Sequence, residues 1–388
     1  MKITSKSQIK DNQKFNLKLF KKPFCFHEKK KKYKPFEMPN FKSNFFLNKS
    51  KSFQKLGKIL FISGPARNGN HLLLTLLDNH PNVRNEIGED NLLRTTFTFA
   101  KRNENEFIKK IKNGDIEFIL KMSGAPRLGK YNGINKWKIL DHMYKNNIKS
   151  KIWSGHEKES YPHITDFQDI IPKINYQAFE SYLKSNKDEI KKVKTFMDFF
   201  SIYIKAKNKL IDKKKKNFKF NYRWTGSGLR RELIHLLKNN RNILCLTPIR
   251  RFENFYYSYA KTRHYTNKIT QSALNDLWEH WRHKVIDYLI LKQKYPKNII
   301  IVKFEDIVTN PKRFAKKLCK ALNIPYSSKM IIPSLLGEST LGNSSFKKKN
   351  IDKGKIYKSS INRKLNSVEM PKEYKEILKH IDKYSLKV

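Results

Sequence analysis

Apolar residues in this chain come in short runs separated by turn residues and longer amphipathic stretches. Ile59-Leu60-Phe61-Ile62 is uninterrupted by polar residues and short, which predicts a strand buried on both faces. Comparable runs at Ile116–Met122 (IEFILKM), Asn242–Thr247 (NILCLT) and Asn298–Val302 (NIIIV) predict three more strands. Helical spacing fills the intervals. Residues 91–115 and 134–147 read as helices, and 176–210 contains helical periods. LRRELIHLLKNN, from Leu229, puts its leucines on one face, and FENFYYSYAKTR starts a helix at Phe252. Residues 270–293 form a long amphipathic helix, and Asn310-Pro311 opens KRFAKKLCKALNI. Repeated strand–helix alternation predicts an α/β fold with a central parallel sheet flanked by helices.

The stretch Lys58–Asn79 (KILFISGPARNGNHLLLTLLDN) organises the rest. A buried strand enters a glycine-flanked turn, Gly64 to Gly69, and leaves as a leucine-rich helix. Such a junction aims free backbone N–H groups and a positive helix end at one spot, which attracts phosphate or sulfate. Gly64 and Gly69 have the spacing of a Walker loop, but Asn70 and His71 stand where that loop carries Lys and Ser/Thr. The nucleotide-gripping lysine and the magnesium-binding hydroxyl are therefore missing. A cation sits inside the loop instead, at Arg67.

Composition changes this picture only modestly. The chain has 388 residues, enough for one large α/β domain or two smaller ones. A formal net charge of +49 favours anionic ligands in general. Lys, Asn, Ile, Phe and Tyr are all abundant, as in an AT-rich coding sequence, so the charge supports an anionic ligand only weakly. Cys25, Cys245 and Cys319 are dispersed, without a CxxC pair, which argues against a disulfide framework and a zinc site. No apolar run of transmembrane length and no signal-type h-region is present, so the expectation is a cytoplasmic protein with no membrane span. Residues 1–56, with Lys29–Lys32, read as a basic, mobile or loosely docked N-terminal extension; residues 57–388 form the domain, with an insertion of roughly 150–225.

Further candidates lie along the chain. Glu86, Glu89 and Asp90 follow the first helix, where loops surround a ligand crevice, and one of them is a candidate general base. His156 and His163 mark loops in the insertion. Arg250 closes the third strand, and Ser258 lies two turns into the next helix. Trp278, His280, Trp281 and His283 fall at helical spacing and read as core packing.

In this order, the residues resemble those of the PAPS-dependent sulfotransferase family, whose donor is 3′-phosphoadenosine-5′-phosphosulfate. Arg67-Asn68-Gly69-Asn70-His71 resembles the family's 5′-phosphosulfate loop, [KR]SGTT, and DNHPNV resembles the end of its first helix. Arg250 and Ser258, eight residues apart, resemble the pair that holds the donor's 3′-phosphate. YPKNIIIVKFEDIVTNPKRFAKKLCKALNIP resembles the family's late "yEDL" segment, and GNSSF, more loosely, its last donor loop. The resemblance spans about 57–350 and implies a P-loop-like three-layer fold. Asn68, Asn70 and His71 replace Ser, Thr and Thr, keeping side chains able to donate to anionic oxygens. Phe252 stands where the family has Pro.

The resemblance implies a reaction. Glycan-directed members carry a catalytic Glu nine residues beyond the His of an HPDV-like segment, here Glu89, counted from His80, with Glu86 as fallback. An acceptor hydroxyl or amine, expected on a carbohydrate, attacks the donor sulfur while Glu89 takes its proton and Arg67 neutralises the leaving phosphate. No metal is expected, since a sulfuryl group carries less charge than a phosphoryl group. The alternatives are a nucleotide kinase-like enzyme, which needs Mg²⁺ and a loop lysine, and a non-catalytic nucleic-acid-binding protein; no nucleic-acid partner is expected on the main reading. Oligomeric state is left open.

Overall fold

A computed structural model describes residues 40–78, 80–85, 92–123, 173–211, 218–226, 228–262, 271–340, 352–358, 361, 365 and 370–388. Four parallel strands form the central sheet: β1 (Ile59–Ile62), β2 (Tyr222–Thr225), β3 (Ile243–Ile249) and β4 (Ile299–Lys303). Their order is β2-β1-β3-β4, with Ile59 opposite both Tyr222 and Ile243, and Cys245 opposite Ile299. Helices flank this sheet, as the α/β reading requires. β1 is buried along its whole length, the expected state of a central parallel strand covered on both faces. Because all four strands run the same way, Ser63, Gly226, Arg250 and Phe304 follow their ends at one edge of the sheet.

Two of the sequence expectations need correction. Ile116–Met122 is not a strand but most of the helix Ile116–Ser123. Asp115 accepts from Phe118 N at 2.9 Å as an N-terminal cap, and Glu117 pairs with Lys121 one turn on at 3.0 Å. Only Ile119, Met122 and Ser123 are buried, so the run has one core face rather than two. The missing strand is β2, at the end of the stretch read as an insertion. Its pairing residues include Arg223, and Trp224 packs beneath Lys207, whose Nζ lies 4.0 Å from the ring centroid.

The same stretch supplies core. The helix Phe196–Lys207 opens with a capping box, Thr195 and Asp198 exchanging side-chain-to-backbone bonds, and buries Phe196, Phe199 and Phe200. Residues 40–56 are docked onto it. Phe46 stacks on Phe196 at 5.3 Å, Ser50 Oγ donates to Asp198 at 2.6 Å, and Asn240 Nδ2 donates to Phe53 O at 3.0 Å. Residues 1–39 of the expected N-terminal extension lie outside the described residues. The tryptophans of the long helix Gln271–Lys294 are core, as expected: Trp278 and Trp281 are fully buried against Phe252 and Tyr374.

Candidate active site

The glycine turn lies at the sheet edge where β1 ends. Gly64 has no room for a side chain: a Cβ there would sit 2.6 Å from Pro248 O on β3. Arg67 adopts φ 64° and Gly69 φ 110°, so the turn has two left-handed positions, and Asn68 N between them donates to Pro65 O at 3.3 Å. The helix Asn70–Leu76 follows directly, adding first-turn N–H groups that no helical carbonyl can satisfy.

The side chains of the two asparagines are spent on the protein itself. Asn70 Nδ2 donates to Gly64 O and Pro65 O, each at 3.2 Å, closing the turn on its own backbone. Asn68 Nδ2 donates to Ala66 O at 3.0 Å, and its Oδ1 accepts from Arg250 N at 2.7 Å. Expected as ligand contacts, both hold loop geometry with these groups. Any oxyanion in the turn meets backbone amides, Arg67 and the half-buried His71. Burial, and then the nearby Arg67 guanidinium, lower the His71 pKa to about 4, so this imidazole is neutral at pH 7 and offers one N–H donor.

Arg250 and Ser258 come to the same place. Arg250 is buried, its guanidinium 4.1 Å from the centroid of Phe304 at the end of β4, and its carbonyl accepts from Trp281 Nε1 at 2.9 Å. The Phe304 ring also backs Gly69, where a Cβ would lie 2.6 Å from Cδ2. Ser258, on the helix Phe252–Thr262, accepts from Arg67 Nε at 3.3 Å. Arg67, Gly69, Arg250 and Ser258 are thus one cluster.

Two supporting residues had no sequence reading of this kind. Glu305 Oε1 accepts from Arg251 N at 3.0 Å and Asn254 Nδ2 at 2.8 Å, so β4's end caps the helix that carries Ser258. The "yEDL"-like spelling was the available signal, but it did not disclose this role. Ser63 accepts from Leu229 N at 3.1 Å and pairs with Tyr288 OH at 2.8 Å, fastening the turn's root to two other elements.

Other candidates separate cleanly. His80 Nδ1 accepts from Asn82 N at 3.1 Å, leaving Nε2 to donate to Pro325 O at 2.9 Å; both nitrogens are structural. Glu86, Glu89, Asp90, His156, His163 and Gly342–Phe346 lie outside the described residues. Among the described residues no group of three or more His, Cys, Asp or Glu is set to hold a metal ion. Nor is any described helix long and apolar enough to cross a membrane.

The fold and the cluster define an α/β protein with a P-loop-like glycine turn at the carboxyl edge of a parallel sheet. Residues 240–328 match the model of the sulfotransferase family. This segment holds Arg250, Ser258, Phe304 and Glu305. The Arg67 turn lies upstream of it and is tied to it by the contacts of Asn68 and Arg67. No curated protein matches the chain. Among solved structures, the sulfotransferase domain of the Synechococcus PCC 7002 olefin synthase is 13% identical with a TM-score of 0.47, covering 86% of this chain and 98% of that one. The sulfotransferase domain from the curacin biosynthetic pathway is 15% identical with a TM-score of 0.46, covering 84% and 98%. A sulfotransferase from Mycobacterium tuberculosis H37Rv is 12% identical, with a TM-score of 0.36 and coverages of 71% and 70%.

Proposed function

We propose that the chain is a PAPS-dependent sulfotransferase that moves a sulfuryl group from 3′-phosphoadenosine-5′-phosphosulfate to a hydroxyl or amine, with a glycan as the acceptor class. The single observation that carries this reading is the 3.3 Å contact between Arg67 and Ser258. These residues are 191 positions apart, and the resemblance assigns them to the two anionic ends of one donor.

In this reading the turn's amides, Arg67 and His71 receive the 5′-phosphosulfate, while Arg250 and Ser258 receive the 3′-phosphate. The acceptor oxygen or nitrogen attacks sulfur in line, the bond from sulfur to the bridging oxygen breaks, and 3′,5′-adenosine bisphosphate leaves. Glu89 takes the acceptor proton, a role worth ~10²–10⁴-fold in rate. Arg67 and the amides meet the charge growing on the bridging oxygen, an effect of ~2.7–4 kcal/mol per donor group. No metal is required. The free, buried thiols of Cys245 and Cys319 suit a reducing, cytoplasmic setting.

Calorimetry with 3′,5′-adenosine bisphosphate against ADP, with and without Mg²⁺, tests the donor. Preference for the bisphosphate without metal is the expected result; preference for Mg-ADP would make the chain a nucleotide kinase-like enzyme instead. A labelled-sulfate screen over carbohydrate, alcohol and peptide acceptors then tests the acceptor. Glu89→Gln should bind the bisphosphate normally and lose rate, and an unchanged rate would move the base to Glu86 or a histidine.

A further inference from the structure

Asn68 is fully buried, and both ends of its carboxamide are engaged. One end holds Ala66 O within the turn. The other holds the backbone N–H of Arg250, 182 residues away. On the far side of the cluster, Arg67 Nε reaches Ser258 Oγ, eight residues beyond Arg250 on a helix whose start Glu305 caps. The contacts form a closed circuit: Arg67, Asn68, Arg250, helix, Ser258 and back to Arg67. Of these two links, the Arg67 link uses a group assigned to the ligand. The Asn68 link does not, because its side chain has no exposed surface.

We propose that Asn68 is a positioning residue that sets the spacing between the two anion clamps, and thereby the preference for a ligand phosphorylated at both ends. This rests on the donor reading above. A ligand with one phosphate uses only the turn and is indifferent to where Arg250 stands. A ligand with two must match both clamps at once, so a slack link between them is felt only by that ligand. The carboxamide suits this role because it supplies a donor and an acceptor at the same reach. Alanine supplies neither, whereas aspartate keeps the acceptor for Arg250 N and adds a charge.

The experiment compares binding of 3′,5′-adenosine bisphosphate and 5′-AMP to the wild type, Asn68→Ala and Asn68→Asp, with thermal melting of each free protein as the folding control. The expected result for Asn68→Ala is a loss of tenfold or more for the bisphosphate and under threefold for 5′-AMP. Asn68→Asp should weaken both ligands, the bisphosphate more, since its second phosphate brings further negative charge to the added carboxylate. Equal losses in Asn68→Ala overturn the inference and reduce Asn68 to a loop-holding residue. If Asn68→Ala does not fold, Asn68→Leu, which keeps the bulk but has neither donor nor acceptor, should show the same selective loss, and an unchanged ratio there overturns it equally. A wild type that binds the two ligands alike removes the donor reading, and with it the inference.

Discussion

Arg67 Nε donates to Ser258 Oγ across 3.3 Å, joining the turn after β1 to the helix after β3. Arg67 holds a left-handed backbone, φ 64°, which a non-glycine residue adopts only where its surroundings favour it. Ser258 Oγ, accepting from Nε, is one protein contact that holds the Arg67 side chain. Ser258→Ala is expected to weaken 3′,5′-adenosine bisphosphate binding by about tenfold or more, because hydrogen bonds to charged groups are worth ~1.5–3 kcal/mol. Isothermal titration checks this, and a loss under about twofold would mean that Arg67 is oriented by other contacts.

Glu305 links β4 to the same helix. Its Oε1 serves Arg251 N and Asn254 Nδ2 together, satisfying an N–H at the start of the Phe252–Thr262 helix. Glu305→Ala removes that acceptor and is expected to cost about 1–2 kcal/mol, the range for losing a helix cap. Glu305→Gln, which retains an oxygen, should cost less. Denaturant midpoints at constant slope measure both, and equal losses would show that the carboxylate's charge matters more than the bond.

The legible parts of this chain were those set by local pattern. β1, β3 and β4 announced themselves because each is a short, almost uninterrupted apolar run, whether central, as β1 and β3 are, or at the edge, as β4 is. β2 did not: Arg223 interrupts its short run, and Trp224 is covered by Lys207 from a distant helix, a purely tertiary arrangement. At the site, Arg67, Gly69, Arg250 and Ser258 were singled out through the family resemblance, and the structure brings them close together. The work of Asn68 and Asn70 was not readable. Side chains that donate to anions also donate to carbonyls, and only folding reveals that Gly64, Pro65 and Ala66 present carbonyls within reach.

Gly69 makes a sharper test of the turn. Its φ of 110° disfavours any L side chain, and a Cβ would press to 2.6 Å from Phe304, whose ring lies beneath the Arg250 guanidinium. Gly69→Ala combines a left-handed penalty of ~1–2 kcal/mol with that clash, so a total above ~2 kcal/mol is expected. Gly57→Ala is the control, since nothing lies within 4 Å of a Cβ there. Urea unfolding of both variants decides the matter. A near-neutral Gly69→Ala would mean that Phe304 yields easily and that the turn tolerates a second conformation.

His235 gives the fold a pH dependence whose sign follows from its burial. The ring lies 5.4 Å from Phe97 and 5.9 Å from Phe196, and its Nε2 has no hydrogen-bond partner among the described residues. Burial, then repulsion from Lys238, lower its pKa to about 4. Below the ordinary value of 6.5 the unfolded chain takes up a proton that the folded chain refuses, so this group's contribution is complete above pH 6.5 and is lost as the pH drops toward 4, while Glu373, whose pKa burial raises to about 7, acts in the opposite direction. By pH 5 His235 alone removes about 2 kcal/mol, from the linkage relation. His71 and His80, also lowered, act in the same direction, whereas the carboxylates that folding lowers, such as Asp198, matter only in more acidic solution. His235→Leu, which fills the aromatic niche without a titrating group, should therefore lose less stability than the wild type between pH 7.5 and pH 5. Denaturant midpoints across that interval measure the difference, and parallel curves would show that the ring is solvated enough to accept its proton in place.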